Sequence, residues 1–147
     1  MSSAQTDILA AIDARIAAVL PAYKRLKYSY DLEANDYRGS KSAFGVGAGA
    51  GSSVDGTHKS ITMDQSFFVV LTETYGGRQN DTAERAALNT IYDNIETLYL
   101  DFFQSKLGLS SVVYLVSSLE LDEPEVLADN VISVKMNFTV KHRKQTT

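Results

Sequence analysis

The longest regular hydrophobic pattern in the chain lies between Asp81 and Leu107. Apolar residues recur there at alternating spacings of three and four, which places them along one stripe of an α-helix. Asp81 followed three residues later by Glu84 fits a capping box that begins a helix, and Gly108 fits a left-handed residue that ends it. The pattern therefore predicts a helix over 81–107, and its buried stripe consists of Leu88, Ile91, Ile95, Leu98 and Phe102.

A second helical pattern begins near residue 3 and ends near Leu20. The charged residues of this stretch lie away from its apolar face, as in an amphipathic helix. Pro21 disfavours helical backbone at Leu20 and so helps to end the helix. The face that we expect this helix to bury consists of Ile8, Ile12, Ile16, Val19 and Leu20.

Four stretches predict strands, because they alternate between apolar and polar residues or are rich in β-branched residues. They are 24–33, 61–75, 112–121 and 130–142. In the second of these, Phe68 and Val70 add apolar bulk to the side opposite Phe67 and Val69, so we expect both faces of its middle to be covered. The connector at 122–125 is polar and contains Pro124, and it predicts an antiparallel hairpin between the last two strands.

Residues 35–60 have no periodicity and are rich in glycine and serine. This composition raises backbone freedom and offers little to bury, so it predicts a mobile loop. The predicted fold class is α+β, with a mostly antiparallel sheet of about four strands and two helices packed on one face. The order is helix, strand, long loop, strand, helix, strand, strand. We expect a single domain over 1–147 with a flexible insertion at 35–60.

Composition narrows the possible classes of protein. A chain of 147 residues is long enough for one domain with its own core, and it contains no cysteine for disulfides or thiolate ligands. No apolar run approaches the ~20 residues that span a membrane, and the first residues lack the features of a signal peptide. We therefore expect a soluble protein with no membrane partner. A net charge of -4 gives no electrostatic basis for general DNA binding.

The sequence offers few residues for catalysis. Neither His58 nor His142 has a partner at metal-ligand spacing, and both are expected to be solvated surface residues. The acidic residues between Glu120 and Asp129 lack the glycine-containing pattern of an EF-hand and are typical of a solvated loop. We predict that the protein is not an enzyme and that it binds no metal or cofactor.

The predicted helix over 81–107 carries a second apolar line beside its core stripe. This line consists of Tyr92, Tyr99 and Phe103, and it makes the apolar arc wider than one sheet face requires. One interpretation is that the first helix covers the line within the same monomer. The other is that the line forms a subunit interface.

Charge is distributed unevenly toward the C-terminal end. The acidic segment 120–129 precedes the basic segment 141–144. In a monomer this is ordinary solvated surface, whereas oppositely charged edges would suit a head-to-tail contact in a ring. The candidate interface residues of this kind are Asp122, Glu123, Glu125, Lys141 and Arg143.

The order of the predicted elements resembles that of the tail terminator (tail completion) proteins of long-tailed bacteriophages. The segments that carry the resemblance most clearly are the last strand, 130–141, and the strand 67–75 that leads into the long helix. The resemblance covers nearly the whole chain as architecture. It is a pattern of elements and contains no invariant motif.

This resemblance implies a structural role in the tail or neck of a virion, with assembly in the host cytoplasm. A homo-hexameric ring would sit on the last ring of the tail tube, stop tube polymerisation and present a surface for head-tail joining. The implied partners are other copies of the chain, the tail tube protein and the head-tail connector or stopper protein. Genome DNA would pass through the lumen without specific binding, which an acidic lumen would favour because it repels phosphate.

Within the resemblance, the glycine-rich loop would order on the neighbouring ring of the tube. Ordering of a flexible arm lowers the affinity per unit area but allows a wide contact. Phe44 and Val46 would be its apolar anchors, and Arg38 and Lys41 its charge contacts.

Two alternatives fit the same sequence. One is another neck or tail component, such as a head-completion or stopper protein. The other is a non-viral α+β domain that binds a small ligand, with the glycine-rich loop as a lid over a pocket near Tyr28 and Tyr30.

Overall fold

The computed structural model describes residues 4–37, 41–56, 60–76, 81–109, 112–128 and 130–145. The described helices are α1 (Ala4–Val19) and α2 (Asp81–Ser105). The described strands are β1 (Lys24–Arg25), β2 (Ser42–Gly56), β3 (Ser60–Thr74), β4 (Val113–Leu121), β5 (Glu125–Ala128) and β6 (Val131–Gln145). Short 3-10 turns occupy Leu32–Ala34 and Lys106–Gly108. The predicted α+β class is confirmed.

The described strands form one mixed sheet of six strands in the order β1-β2-β3-β6-β4, and β5 also pairs with β6. The short β1 runs parallel to β2, while the other pairs are antiparallel. The predicted antiparallel pairing of the last two long strands is confirmed by β4 and β6. The sheet is larger than predicted because the glycine-rich stretch and part of the 122–130 connector are also strands.

Both helices pack on one face of this sheet, as predicted. Phe44, Leu71 and Val134 are register partners on β2, β3 and β6, so their side chains lie on the same face. The isoleucines of α1 and the predicted stripe of α2 complete one buried cluster with them. The rings of Phe102 on α2 and Phe138 on β6 have centroids 5.5 Å apart.

An ion pair also joins the two helices. The guanidinium of Arg15 donates from Nε to Asp101 Oδ2 at 2.9 Å and from an Nη to Asp101 Oδ1 at 2.5 Å. This two-point contact fixes the side chains as well as bringing the charges together. Of the described helices, none is long and apolar enough to cross a membrane.

The helix α2 begins at Asp81, as predicted, but ends at Ser105, before the predicted stop. Lys106, Leu107 and Gly108 all have positive φ, at 50°, 58° and 71°. Such backbone is unfavourable for the two residues that have a Cβ. Leu107 is fully buried in the core, and the burial of this side chain offsets the backbone cost.

The prediction of a mobile loop over 35–60 was wrong for residues 42–56, which form β2. The register with β3 shows why glycine is used here. A Cβ added to Gly47 would lie 2.2 Å from Cζ of Phe68, its register partner on the outer face of the sheet. A Cβ on Gly45 would lie 3.1 Å from Oγ of Ser29. These glycines permit close packing rather than chain motion.

The predicted strand over 24–33 was also wrong beyond Arg25. After Leu26, which is buried, the chain turns across the outer face of the sheet. Asn35 closes this turn because its side chain accepts from the Tyr28 amide and donates to the Tyr28 carbonyl, both at 2.9 Å. Local side-chain hydrogen bonds have therefore replaced strand pairing.

The turn explains how both faces of β3 are covered. Val70 points away from the helices and is still only 2% exposed. On the same face, the Tyr30 ring meets the Phe68 ring edge-on, with centroids 5.9 Å apart. Residues of the same chain therefore supply the covering layer that the sequence required.

Candidate functional site

The predicted tube-contact residues do not form an exposed group. Phe44 is 4% exposed and Val46 is 7% exposed, because their places in β2 direct both side chains toward the helices. Their assignment as apolar anchors was wrong. Lys41 is exposed just before β2, and Arg38 lies outside the described residues.

The second apolar line of α2 divides into two parts. Tyr92 and Tyr99 are partly buried and pack against the core. Phe103 is 50% exposed, and the neighbouring Leu100 is similarly exposed. An interface would use Phe103 from this line together with its neighbour Leu100.

The charged candidates lie at separate positions along the last strands. Asp122, Glu123 and Glu125 are exposed where β4 turns into β5, and Asp122 accepts from the Asn137 side-chain amide at 3.1 Å. Lys141 and Arg143 are partly buried further along β6, where Lys141 is the register partner of Asp64 on β3. At the rise per residue of a strand, the two groups are roughly 20–33 Å apart along β6.

His142 is buried, so its prediction as a solvated surface residue was wrong. It follows Val140 on the helix-facing side of β6 and is 3% exposed. Its Nε2 lies 3.3 Å from Oε1 of Gln65, whose amide nitrogen donates to Gln5 Oε1 at 2.8 Å. With Gln65 Oε1 as the acceptor, Nε2 of His142 is a protonated nitrogen. Burial lowers the pKa of His142, while the nearby Asp64 charge acts in the opposite direction.

A polar cluster centred on Glu73 lies at the end of β3. Glu73 is 4% exposed and accepts from the Tyr23 hydroxyl at 2.5 Å. The Ser42 hydroxyl lies 3.0 Å from Oε1 and 2.9 Å from Oε2 of the same carboxyl group. Asn94 on α2 donates to the Tyr23 hydroxyl at 2.8 Å. Burial raises the pKa of Tyr23 above its ordinary range, and the hydrogen bond to Glu73 adds to the effect.

This cluster lines an open cleft of about 510 Å³, which we call the Glu73 cleft. It lies between the edge formed by the start of β2 and the end of β3 and the first half of α2. Lys41 is also part of its lining. Small side chains also line it, namely Ala22, Ala83, Ala86, Ala87 and Thr90.

Sequence analysis did not identify Glu73 or Tyr23. A signal existed for Glu73, because it follows Phe67, Val69 and Leu71 at alternate positions of β3 and so falls on the apolar side. No such signal joined Glu73 to Tyr23, which is 50 residues away. In the part of the chain that the structure describes, no group of three or more acidic or histidine side chains is placed to hold a metal ion.

Comparison with known proteins gives a likeness of fold. No family model matches the chain. No curated protein is significantly similar to it in sequence. A solved structure, the virion of a native gene transfer agent (GTA) particle, contains a chain that is 10% identical and superposes with a TM-score of 0.50. The match covers 97% of this chain and 100% of that chain, so the two share an α+β fold along their whole length.

Proposed function

We propose that the protein is a structural component of a phage-like virion, and that it is the tail terminator of that particle. In this role it caps the tail tube as a ring, stops tube polymerisation and provides the surface for head-tail joining. It acts by binding and carries out no reaction, so it is not an enzyme and needs no cofactor.

The observation that carries the proposal is the full-length likeness of fold to a chain of a gene transfer agent virion. The fold keeps part of the element order on which the resemblance to tail terminators rests, namely one long helix between β3 and the closing antiparallel strands, whereas the expected flexible insertion is β2. Exposed Leu100 and Phe103 on that helix are additional support, because exposed apolar side chains of this size are common at subunit contacts.

The partners follow from this role. Copies of the chain form the ring, which we propose to be a hexamer, and its two sides contact the tail tube protein and the head-tail connector or stopper protein. Genome DNA passes through the lumen without specific binding. The protein resides in the tail or neck of the virion and is assembled in the host cytoplasm.

Co-assembly with the tail tube protein encoded in the same genome tests the proposal. Tubes grown without this protein should vary widely in length, and tubes grown with it should carry a capping ring and stop growing. Electron microscopy measures the lengths, and native mass spectrometry counts the copies in the ring. Tubes that bind no ring and have the same length distribution in both cases would refute the terminator role.

The same experiment distinguishes a tail terminator from the other neck components. A head-completion or stopper protein should leave tube length unchanged and bind the portal or connector instead. Binding of the connector alone would therefore assign the chain to that part of the particle.

The ligand-binding alternative is supported by one observation. A cavity of about 400 Å³ adjoins Tyr28, Asn35 and Tyr37, near the position expected for a pocket. Its expected lid does not exist, because the glycine-rich stretch is β2. A screen of small metabolites by thermal shift tests this function. A ligand whose effect disappears in Tyr37→Ala, while Tyr92→Ala still responds, would support it.

A further inference from the structure

We propose that the Glu73 cleft is a binding site for one cationic side chain, a lysine or arginine presented by another polypeptide. This inference goes beyond the proposed function and does not depend on it, because it concerns the chemistry of the cleft alone.

The hydrogen bonds around Glu73 make it an acceptor. Asn94 donates to the oxygen of Tyr23, so the Tyr23 proton is left to point at Glu73. The Ser42 hydroxyl donates to the same carboxyl group. Both hydroxyls thus stabilise a carboxylate, which has lone pairs left for a further donor from the cleft.

No described cation lies within ion-pair distance of Glu73, although Lys41 lines the same cleft. Asp101 pairs with Arg15, and Asp13 lies 3.4 Å from Arg25. Glu73 is the most buried of the three. A buried carboxylate is stabilised most by a cation that also donates hydrogen bonds.

The shape of the cleft fits a long side chain better than a small ion. The alanines that line it leave room for an aliphatic stem, and Glu73 is part of the same lining. Lysine and arginine combine an apolar stem with a charged end. Since the cleft of about 510 Å³ is larger than the charged group alone, a side chain carried on a peptide backbone fills it better than a free amine.

Titration of the full-length protein with short peptides tests this inference. The probes are acetyl-Ala-Arg-Ala-amide and acetyl-Ala-Lys-Ala-amide, with the uncharged isostere acetyl-Ala-citrulline-Ala-amide as the comparator. Binding is followed by NMR through the side-chain amide of Asn94. At least one cationic peptide should bind about tenfold or more tightly than the citrulline peptide, as expected for a hydrogen bond to a charged group.

Three variants locate the binding. Glu73→Gln keeps the shape of the side chain but removes its charge, and it should weaken cationic peptide binding by about tenfold or more. Glu120→Gln makes the same charge change at an exposed position of β4 and should have no effect. Ala86→Leu narrows the cleft while leaving the carboxylate intact, and it should also weaken binding.

Several results would overturn the inference. They are an absence of binding by both cationic peptides, equal binding of the citrulline peptide, and equal losses in Glu73→Gln and Glu120→Gln. Agmatine, which carries a guanidinium on a free amine, distinguishes the source of the cation. If agmatine binds more tightly than the arginine peptide, the site takes a small amine and the polypeptide partner is refuted. None of these results depends on tail assembly.

Discussion

His142 occupies a helix-facing position of β6 with Gln65 and Gln5 as its hydrogen-bonded neighbours. Its Nδ1 is buried and has no partner among the described residues. A proton added at Nδ1 would therefore place a charge where the described residues provide no acceptor. Burial also disfavours the charged imidazolium, and it lowers the pKa of His142.

Acidification should therefore destabilise the protein through His142. The folded-state pKa lies below the unfolded value of about 6.5, so the unfolded chain takes up the proton first as the pH falls. The contribution is complete above the unfolded pKa and is lost as the pH falls toward the folded one. Urea unfolding near neutral pH and in mild acid measures it, and His142→Gln should lose less stability between the two conditions than the unmodified protein.

Asp13 changes the stability with pH in the opposite direction to His142. For this reason the unmodified protein must be compared with His142→Gln. Burial raises the pKa of Asp13, partly offset by Arg25, so its contribution to stability rises as the pH falls. Because Asp13 is present in both proteins, its effect cancels in the difference. An identical pH dependence for the unmodified protein and His142→Gln would show that His142 does not titrate as argued.

At the scale of elements, β2 depends on glycine to bring the outer layer close to the sheet. The Phe68 ring lies over Gly47, and its other contacts are the Tyr30 ring and Lys135, whose Nζ is 4.4 Å from the ring centroid. This small cluster is the outer counterpart of the core on the helix side. It ties β2, β3 and β6 to the turn that follows β1.

Replacing Gly47 by alanine should displace the Phe68 ring and lower the free energy of unfolding by about 1–3 kcal/mol, as overpacking usually does. In a Phe68→Ala background the added methyl group has space, so the same replacement should cost much less. Gly49→Ala is the matched control, because its Cβ would lie 3.3 Å from Ser66 Cβ at an exposed position. Urea unfolding measures all the variants. An equal cost of Gly47→Ala in both backgrounds would rule out the Phe68 contact as its cause.

At the scale of the whole molecule, the exposed part of α2 is the surface that assembly would bury. We expect Phe103→Ser to reduce ring formation on the tube, while changing the free energy of unfolding by no more than about 0.5 kcal/mol because the side chain is half exposed. Tyr28→Ser is the control, since Tyr28 is similarly exposed but lies in the turn before β2. Tube capping is scored by electron microscopy. Equal effects of the two variants would show that this helix surface is not the interface.

The amino-acid sequence by itself determined the elements that bury one face. The boundaries of α1 and β3 and most of α2, β4 and β6 follow from spacing, because burial of alternate or every third and fourth residue is a local property of the chain. In β3 and β6, continuing the alternation by two residues beyond Leu71 and Val140 places Glu73 and His142 on the helix side of the sheet. The α+β class and the packing of both helices on one face follow from these elements.

Only the tertiary structure decided what the remaining residues do. Glycine is compatible with both a mobile loop and a strand, and the Phe68 ring that packs over Gly47 comes from β3. The candidate site is likewise assembled from distant parts of the chain, since Tyr23, Ser42, Glu73 and Asn94 come from four segments. Contacts between residues far apart in sequence leave no periodic signal, because they depend on how the elements are placed in space.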